Sequence, residues 1–272
     1  MKRYLMPILL VPILFITFQV TIAAGTSGAQ PAAKKSAKKA STKASKKTGG
    51  KVAIKCPAAI TAPGSSIADC PNTGCGPSLD PNLNKQKNIS QNSGAPVDRD
   101  MAFLAELPDP VPGFNIGDTR TKLKALGEGT TIRVVAYALV ARKGSRESCN
   151  CGLTKAADTD NHIVLVDTET AEPTLKENEL ESQTAEFTPH VRLTHTKLVG
   201  ADLERLITAA PNQALLVRVT GVQMFDSEHS LGPHPLKRHN NWEIHPVLKL
   251  EYCPEEKTCV EDSDANWVDM EE

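Results

Sequence analysis

The chain has 272 residues, 40% of them hydrophobic and 23% charged, which is enough for one well-buried domain with appendages. Eleven of the 31 Lys and Arg lie at or before Lys55, ahead of the first acid at Asp69, and 20 bases then face 32 acids, so a +11 head precedes a −12 body inside a net charge of −1. Aromatic residues make up only 4%, too few for a carbohydrate-binding platform or a stacking surface for nucleic-acid bases.

Met1, Lys2 and Arg3 give a positive start, Tyr4 to Val20 is almost wholly apolar, and Thr21 to Gly25 supplies small residues suited to a signal peptidase. This pattern predicts a secretory signal over residues 1–24, with an uncleaved single-span anchor as the alternative. No later segment has the length and apolarity to span a membrane, so the expected location is secreted or periplasmic. Residues 25–55 carry nine lysines, no acid and no apolar period, and are expected to form a disordered tether. It serves either as a solvated spacer or as a point-charge contact to an anionic envelope polymer, a lipid surface or nucleic acid.

All seven cysteines, Cys56, Cys70, Cys75, Cys149, Cys151, Cys253 and Cys259, lie beyond the signal, as expected where disulfides form. The odd number leaves at least one free, shared between chains or ligated. Cys253 and Cys259 are close enough to close a small loop. Cys149 and Cys151 would make a very tight ring, so they are expected to pair outward or, with nearby histidines, to offer a metal pair. Residues 56–100 begin rich in Pro, Gly, Asn and Cys and read as an irregular, disulfide-held segment; Asn88, Ile89 and Ser90 form a glycosylation sequon.

Folded-domain composition starts near Met101. Strands are expected over Thr131–Arg142, Asn161–Asp167, Glu186–Thr194, Ala214–Phe225 and Asn241–Tyr252, with a helix over Gly200–Ala210 that presents Leu203, Leu206 and Ile207 and stops at Pro211. Three strands, a helix and two strands is the order of the five-stranded OB barrel. The expected fold is therefore mainly β, an OB-like barrel within residues 101–253, preceded by disordered and irregular segments. Gly144 and Gly221 fall where a small barrel bends. Residues 254–272 read as a solvated acidic tail.

Several runs carry a likeness: Glu147 to Cys151, Asp160 with His162, Thr188, Pro189, Val191 and Arg192, Val217 to Gly221, Asp226 with Glu228 and His229, and the closing Trp242-Glu243-Ile244-His245-Pro246-Val247. Together with Gly74 to Gly76 and Asp80 to Asn88, they resemble a group of uncharacterised exported bacterial proteins. The resemblance covers most of residues 56–253 and implies one domain in an envelope or secreted setting, without implying a reaction.

All seven histidines lie beyond residue 160, interleaved with carboxylates. Strand alternation puts Trp242, Ile244, Leu248 and Leu250 on one face of the last strand and Glu243 and His245 on the other. It leaves His162 opposite Ile163 and Leu165, and turns Glu186, His190 and Arg192 away from Phe187 and Val191. His162, Glu186, Asp226, His229, Glu243 and His245 are thus the candidate ligands of a divalent metal, with Arg192 and Arg218 as candidate ligand-binding cations. The competing reading is a set of buried hydrogen bonds and a cross-strand ion pair of Glu243 with Arg192 or Arg218. Tyr137, Phe187, Phe225 and Trp242 read as core, and the Lys237-Arg238-His239 cluster as solvent-facing.

Three functions follow as expectations. The first is an exported binding or interaction module of the bacterial cell envelope; the second a metal-dependent hydrolase acting on phosphodiesters in the manner of a nuclease; the third a structural envelope protein tethered by its basic arm.

Overall fold

Alternation along Thr131–Lys143 sends Ile132, Val134, Ala136 and Ala138 into the interior, where each is fully buried, and this long strand organises the rest. The computed structural model describes residues 52–78, 80–90, 94–229, 237–254 and 258–272. The expected signal peptide, nearly all of the lysine arm and His234 lie outside these residues. The described chain belongs to one compact unit spanning residues 47–272.

In chain order, β1 (Val52–Ile54), the short helix α1 (Ala58–Thr61), β2 (Gly76–Ser78) and α2 (Pro81–Lys87) make up the cysteine-rich segment. β3 (Val97–Asp98), α3 (Met101–Ala105) and α4 (Thr121–Lys124) lead into β4 (Thr131–Lys143). Then come β5 (Asn161–Val166), α5 (Leu175–Asn178), β6 (Gln183–Phe187), α6 (Pro189–Arg192), α7 (Gly200–Ala209), β7 (Leu215–Phe225), β8 (Trp242–Tyr252) and β9 (Val268–Asp269).

β4 pairs with β7 along its first part and with β5 along its second; β5 pairs with β6, and β8 lies between β6 and β7. The ring β4-β5-β6-β8-β7 closes on itself as a five-stranded barrel, and β6 with β8 is its one parallel junction. Closure removes the unpaired edges that an open sheet of this size would expose. α7 sits among the strands with Leu203 and Ile207 buried against the core; each such side chain contributes about 1.5–3 kcal/mol by leaving water.

Three expectations need correction. The third strand covers Gln183–Phe187, and α6 follows where Glu186–Thr194 was expected to continue as strand. Pro189 causes the change: it has no N–H for a ladder, and its fixed φ suits the first turn of a helix. In β8, Ile244, Val247 and Leu250 face the core while Leu248 is only partly buried. Strict alternation fails there because the register against β7 slips between Thr220 and Gly221 and again between Gly221 and Gln223. Trp242 packs outside the main core, in a smaller cluster with Val111, Leu123 and Phe225.

The appendages are also more ordered than their composition implies. Val52–Ile54, at the end of the expected tether, pairs with β2. Cys56–Cys75 and Cys70–Cys151 disulfides enclose a small core around Ile67, and Cys253–Cys259 closes the short loop expected of it. Cys149 is the one free cysteine and is buried, while Cys151 pairs outward. The acidic tail is not simply solvated: β9 pairs with β8, and Asp264 meets Arg218 at 2.7 Å. Among the described residues no helix is long and apolar enough to cross a membrane.

Candidate metal centre

The parallel junction sets the site. Thr184 pairs with Glu243 and Ala185 with Ile244, so the next residues along the two strands, Glu186 and His245, come side by side. His245 Nδ1 lies 3.2 Å from Glu186 Oε2 and 3.4 Å from Glu243 Oε2. On the other flank of β6, His162 pairs in register with Glu186, and its Nε2 lies 3.3 Å from Glu186 Oε1. Asp160, just before β5, completes the group: ligand atoms of Asp160, Glu186 and His245 all lie within 4.8 Å of one another. Ions bound at about 2.0–2.2 Å hold their ligand atoms about 3–4 Å apart, so a small inward adjustment suffices.

Burial makes this arrangement costly without a cation. Asp160, Glu243 and His245 have no exposed surface and Glu186 has 2%, while the His162 side chain is 34% exposed and forms the edge facing solvent. Asp160 Oδ1, His162 Nε2, Glu186 Oε2, Glu243 Oε2 and both His245 ring nitrogens are buried without a hydrogen-bond partner. Such orphaned groups are rare in folded proteins, and each costs about 1–3 kcal/mol. Burial pushes the Asp160 carboxyl well above the usual range, with the Glu147 and Glu186 charges adding to it. Burial likewise raises Glu186 to about 7. Burial lowers His245 well below the ordinary imidazole value, with Lys87 adding to it. Neutral imidazoles beside carboxylates that resist ionisation are what a bound divalent cation would stabilise.

A second layer of charge surrounds these ligands. Lys87, at the end of α2, is 3% exposed and reaches Glu147 at 2.8 Å and Asp226 at 3.7 Å. Burial would lower its pKa, but those carboxylates override it and hold the ammonium charged. Burial opposes ionisation of Asp226 as well; Lys87, the His229 hydrogen bond and Arg238 prevail and keep it well below the usual range. Arg238 bonds Glu243 directly and approaches Asp226 at 3.7 Å. Asn150 Nδ2 donates to Asp160 Oδ2 at 2.8 Å, which leaves Oδ1 as the unpartnered oxygen. Glu147, Asp160, Glu186, Asp226 and Glu243 thus face two permanent cations, Lys87 and Arg238.

Of the six metal candidates read from sequence, His162, Glu186, Glu243 and His245 converge. Asp226 and His229 form a neighbouring pair through His229 Nδ1, with the His229 side chain 52% exposed. Arg218 is turned away from this centre: it holds Glu251 through two 2.8 Å bonds and lies over the Trp267 ring. Arg192 sits on α6, bonded to Asn161, Ala157 and Thr159. The expected cross-strand partners of Glu243, Arg192 or Arg218, are replaced by Arg238, from the cluster read as solvent-facing.

Lys87, Glu147, Cys149 and Asp160 complete the site although alternation did not select them. Cys149 Sγ donates to Glu147 Oε2 at 3.2 Å, and its thiol is pushed well up by burial and then by the Glu147 and Asp160 charges. The signals available for Glu147, Cys149 and Asp160 were the Asp160-x-His162 and Glu147-to-Cys151 runs themselves; Lys87 lies in the Asp80 to Asn88 run. Comparison with protein-family models, with curated proteins and with solved structures found no match.

Proposed function

We propose that this chain is an exported metalloprotein whose barrel holds a divalent cation on Asp160, Glu186 and His245, with His162 at the solvent edge, and that metal-activated hydrolysis is the chemistry it serves. The observation that carries the reading is the convergence of six orphaned polar atoms from three neighbouring segments, the start of β5, β6 and β8, on one buried spot. Mixed carboxylate and imidazole donors suit zinc, manganese or nickel. Zinc held there would lower the pKa of bound water to about 7, and Glu243 Oε2, 3.4 Å from His245 Nδ1, would be a neighbouring carboxylate oxygen able to take the proton. Export is supported by the three disulfides, which persist in oxidising compartments, and by the signal-like start of the chain.

The test uses the full chain from an oxidising compartment, stripped with chelator and reloaded with zinc or manganese. Hydrolysis of bis(p-nitrophenyl) phosphate should depend on the ion and vanish in Glu186→Gln and His245→Ala. Stoichiometric metal without hydrolysis of this or other phosphodiesters would remove the enzymatic part of the reading; absence of metal binding would remove all of it. The alternative, a binding module, is favoured by a separate cleft on the other side of β5.

A further inference from the structure

A cleft of about 740 Å³ opens between the end of β4, the start of β5, α6 and the first turn of α7. Its apolar lining comes from Ile67, Ala141, Leu193 and Val199, and its charged lining from Lys143, Asp158, Arg192 and Glu204. Volume and lining fall in the range of small-molecule sites. It is distinct from the metal centre: Asn161 faces the cleft and His162, the next residue on β5, faces Glu186.

The charged groups are present in both signs and make no direct ion pair with one another. Among the described residues none of the four makes an ion pair within 4.0 Å. Each is held by neutral groups instead. Glu204 Oε2 accepts from the Ala141 N–H at 2.6 Å, and Asp158 Oδ1 accepts from the Ile67 N–H at 2.9 Å. Lys143 Nζ donates to the Thr154 carbonyl at 2.7 Å. The Arg192 guanidinium donates to Asn161 Oδ1 and to the carbonyls of Ala157 and Thr159, and its Nε is buried without a partner. Desolvation lowers the Arg192 pKa, against the opposing pull of the Asp160 and Asp158 charges. Fixed charges of opposite sign, oriented by backbone and kept from pairing, form a template for a ligand that carries both signs itself.

We propose that this cleft binds a short zwitterionic peptide or amino acid: its carboxylate is received by Arg192 and Lys143, its ammonium by Glu204 and Asp158, and an apolar side chain lies against Leu193, Val199 and Ile67. A ligand with only one charge would leave half of the template unmet. A purely apolar ligand would bury all of it.

The proposal is independent of the metal. The experiment titrates leucyl-leucine into the full chain by calorimetry, beside N-acetyl-leucyl-leucine, which lacks the ammonium, and leucyl-leucine amide, which lacks the carboxylate. Saturable one-site binding of the dipeptide is expected, with each capped analogue weaker by at least about tenfold, the effect of losing one charge-assisted contact. Arg192→Gln should weaken the dipeptide by a similar factor. Because Arg192 also braces α6, Ala201→Trp provides the second variant: Ala201 is exposed at the cleft wall, and an indole there should block binding while the fold is kept. His245→Ala should lose metal and retain the dipeptide, which separates failure of this proposal from failure of the metal reading. Equal binding of the dipeptide and either capped form, undiminished binding by Ala201→Trp, or no saturable binding of the dipeptide would overturn the proposal.

Discussion

His245 Nδ1 stands 3.2 Å from Glu186 Oε2, and both atoms are buried without a hydrogen bond. A packed core would ordinarily avoid this pair, and the parallel β6–β8 junction imposes it. On the proposed reading a cation seated beside both donors would offset that cost. Glu186→Gln should therefore abolish stoichiometric metal binding while leaving the far-ultraviolet circular dichroism spectrum unchanged, as measured on chelator-stripped and reloaded protein.

The same pair predicts an unusual pH dependence of the metal-free protein. Glu186 is raised to about 7 in the fold from 4.5. Between those values the folded state keeps a proton that the unfolded state has released, so stability falls as pH rises from 4.5 to 7 and levels off above it. The loss from this group is about 3 kcal/mol. Asp160 acts in the same direction and His245 in the opposite one, so the readout is the comparison of stripped wild type with Glu186→Gln by denaturant titration at pH 5 and pH 8: the wild type should lose stability relative to the variant between the two. Parallel profiles would count against the placement of this carboxyl.

Lys87 lies between Glu147 and Asp226 at 3% exposure. Lys87→Met removes the charge and leaves two carboxylates facing each other, which should destabilise the fold by about 3–5 kcal/mol. Urea midpoints of wild type and variant measure it. A change within about 0.5 kcal/mol, the size of an ordinary surface substitution, would mean that the ammonium is solvated.

Gly221 lies between the two register slips of β7 against β8, and a Cβ there would stand 2.5 Å from both Ile244 Cγ2 and the Pro246 carbonyl. Neither neighbour can retreat without moving β8. Gly221→Ala should cost at least about 1–3 kcal/mol and, because Ile244 precedes His245, weaken metal binding as well. Thermal unfolding and metal titration of one variant preparation test both effects.

Cys149 and the Cys70–Cys151 bridge should behave oppositely. The thiol is 1% exposed and its pKa is raised, so it should resist alkylation in the native protein and react as one thiol per chain after unfolding. Replacing Cys70 and Cys151 together by serine releases an 81-residue separation and should cost about 2–5 kcal/mol. Mass spectrometry after alkylation and denaturant unfolding provide the two measurements.

Much of the barrel was legible in the sequence because its strands carry their own period. β4, β5, β7 and β8 fall within a residue or so of the β-branched runs that suggest them, and α7 follows its apolar spacing up to Pro211. The third strand was misjudged since Phe187 and Val191 share a face equally well in a strand running through Pro189 and in a strand that ends before a helix. The inward set of β8 was misjudged because bulges are properties of a pair of strands, and neither strand alone announces them.

For the site, alternation was enough to gather His162, Glu186, Glu243 and His245, all of which sit on barrel strands. It could not find Lys87 or Arg238: one arrives on α2 from the cysteine-rich segment and the other from the loop before β8, so both depend on tertiary packing. Asp226 and His229 were grouped with the ligands by residue type, whereas Lys87 and Arg238 draw Asp226 into the surrounding ion network. Arg218 was expected near a ligand, and its real partners are Glu251, opposite it on β8, and Asp264 of the acidic tail.

The central claim, that the Asp160, Glu186 and His245 group holds a divalent cation, is tested most directly by elemental analysis of the full chain, made in an oxidising compartment and purified without a histidine tag or chelating resin. The account predicts about one equivalent of zinc, manganese or nickel per chain, lost in both Glu186→Gln and His245→Ala while Arg218→Lys retains it. Folded wild-type protein that holds no such ion, and takes none up after incubation with these metals and removal of excess, would contradict the account and leave the six orphaned atoms as an unexplained cost of the fold.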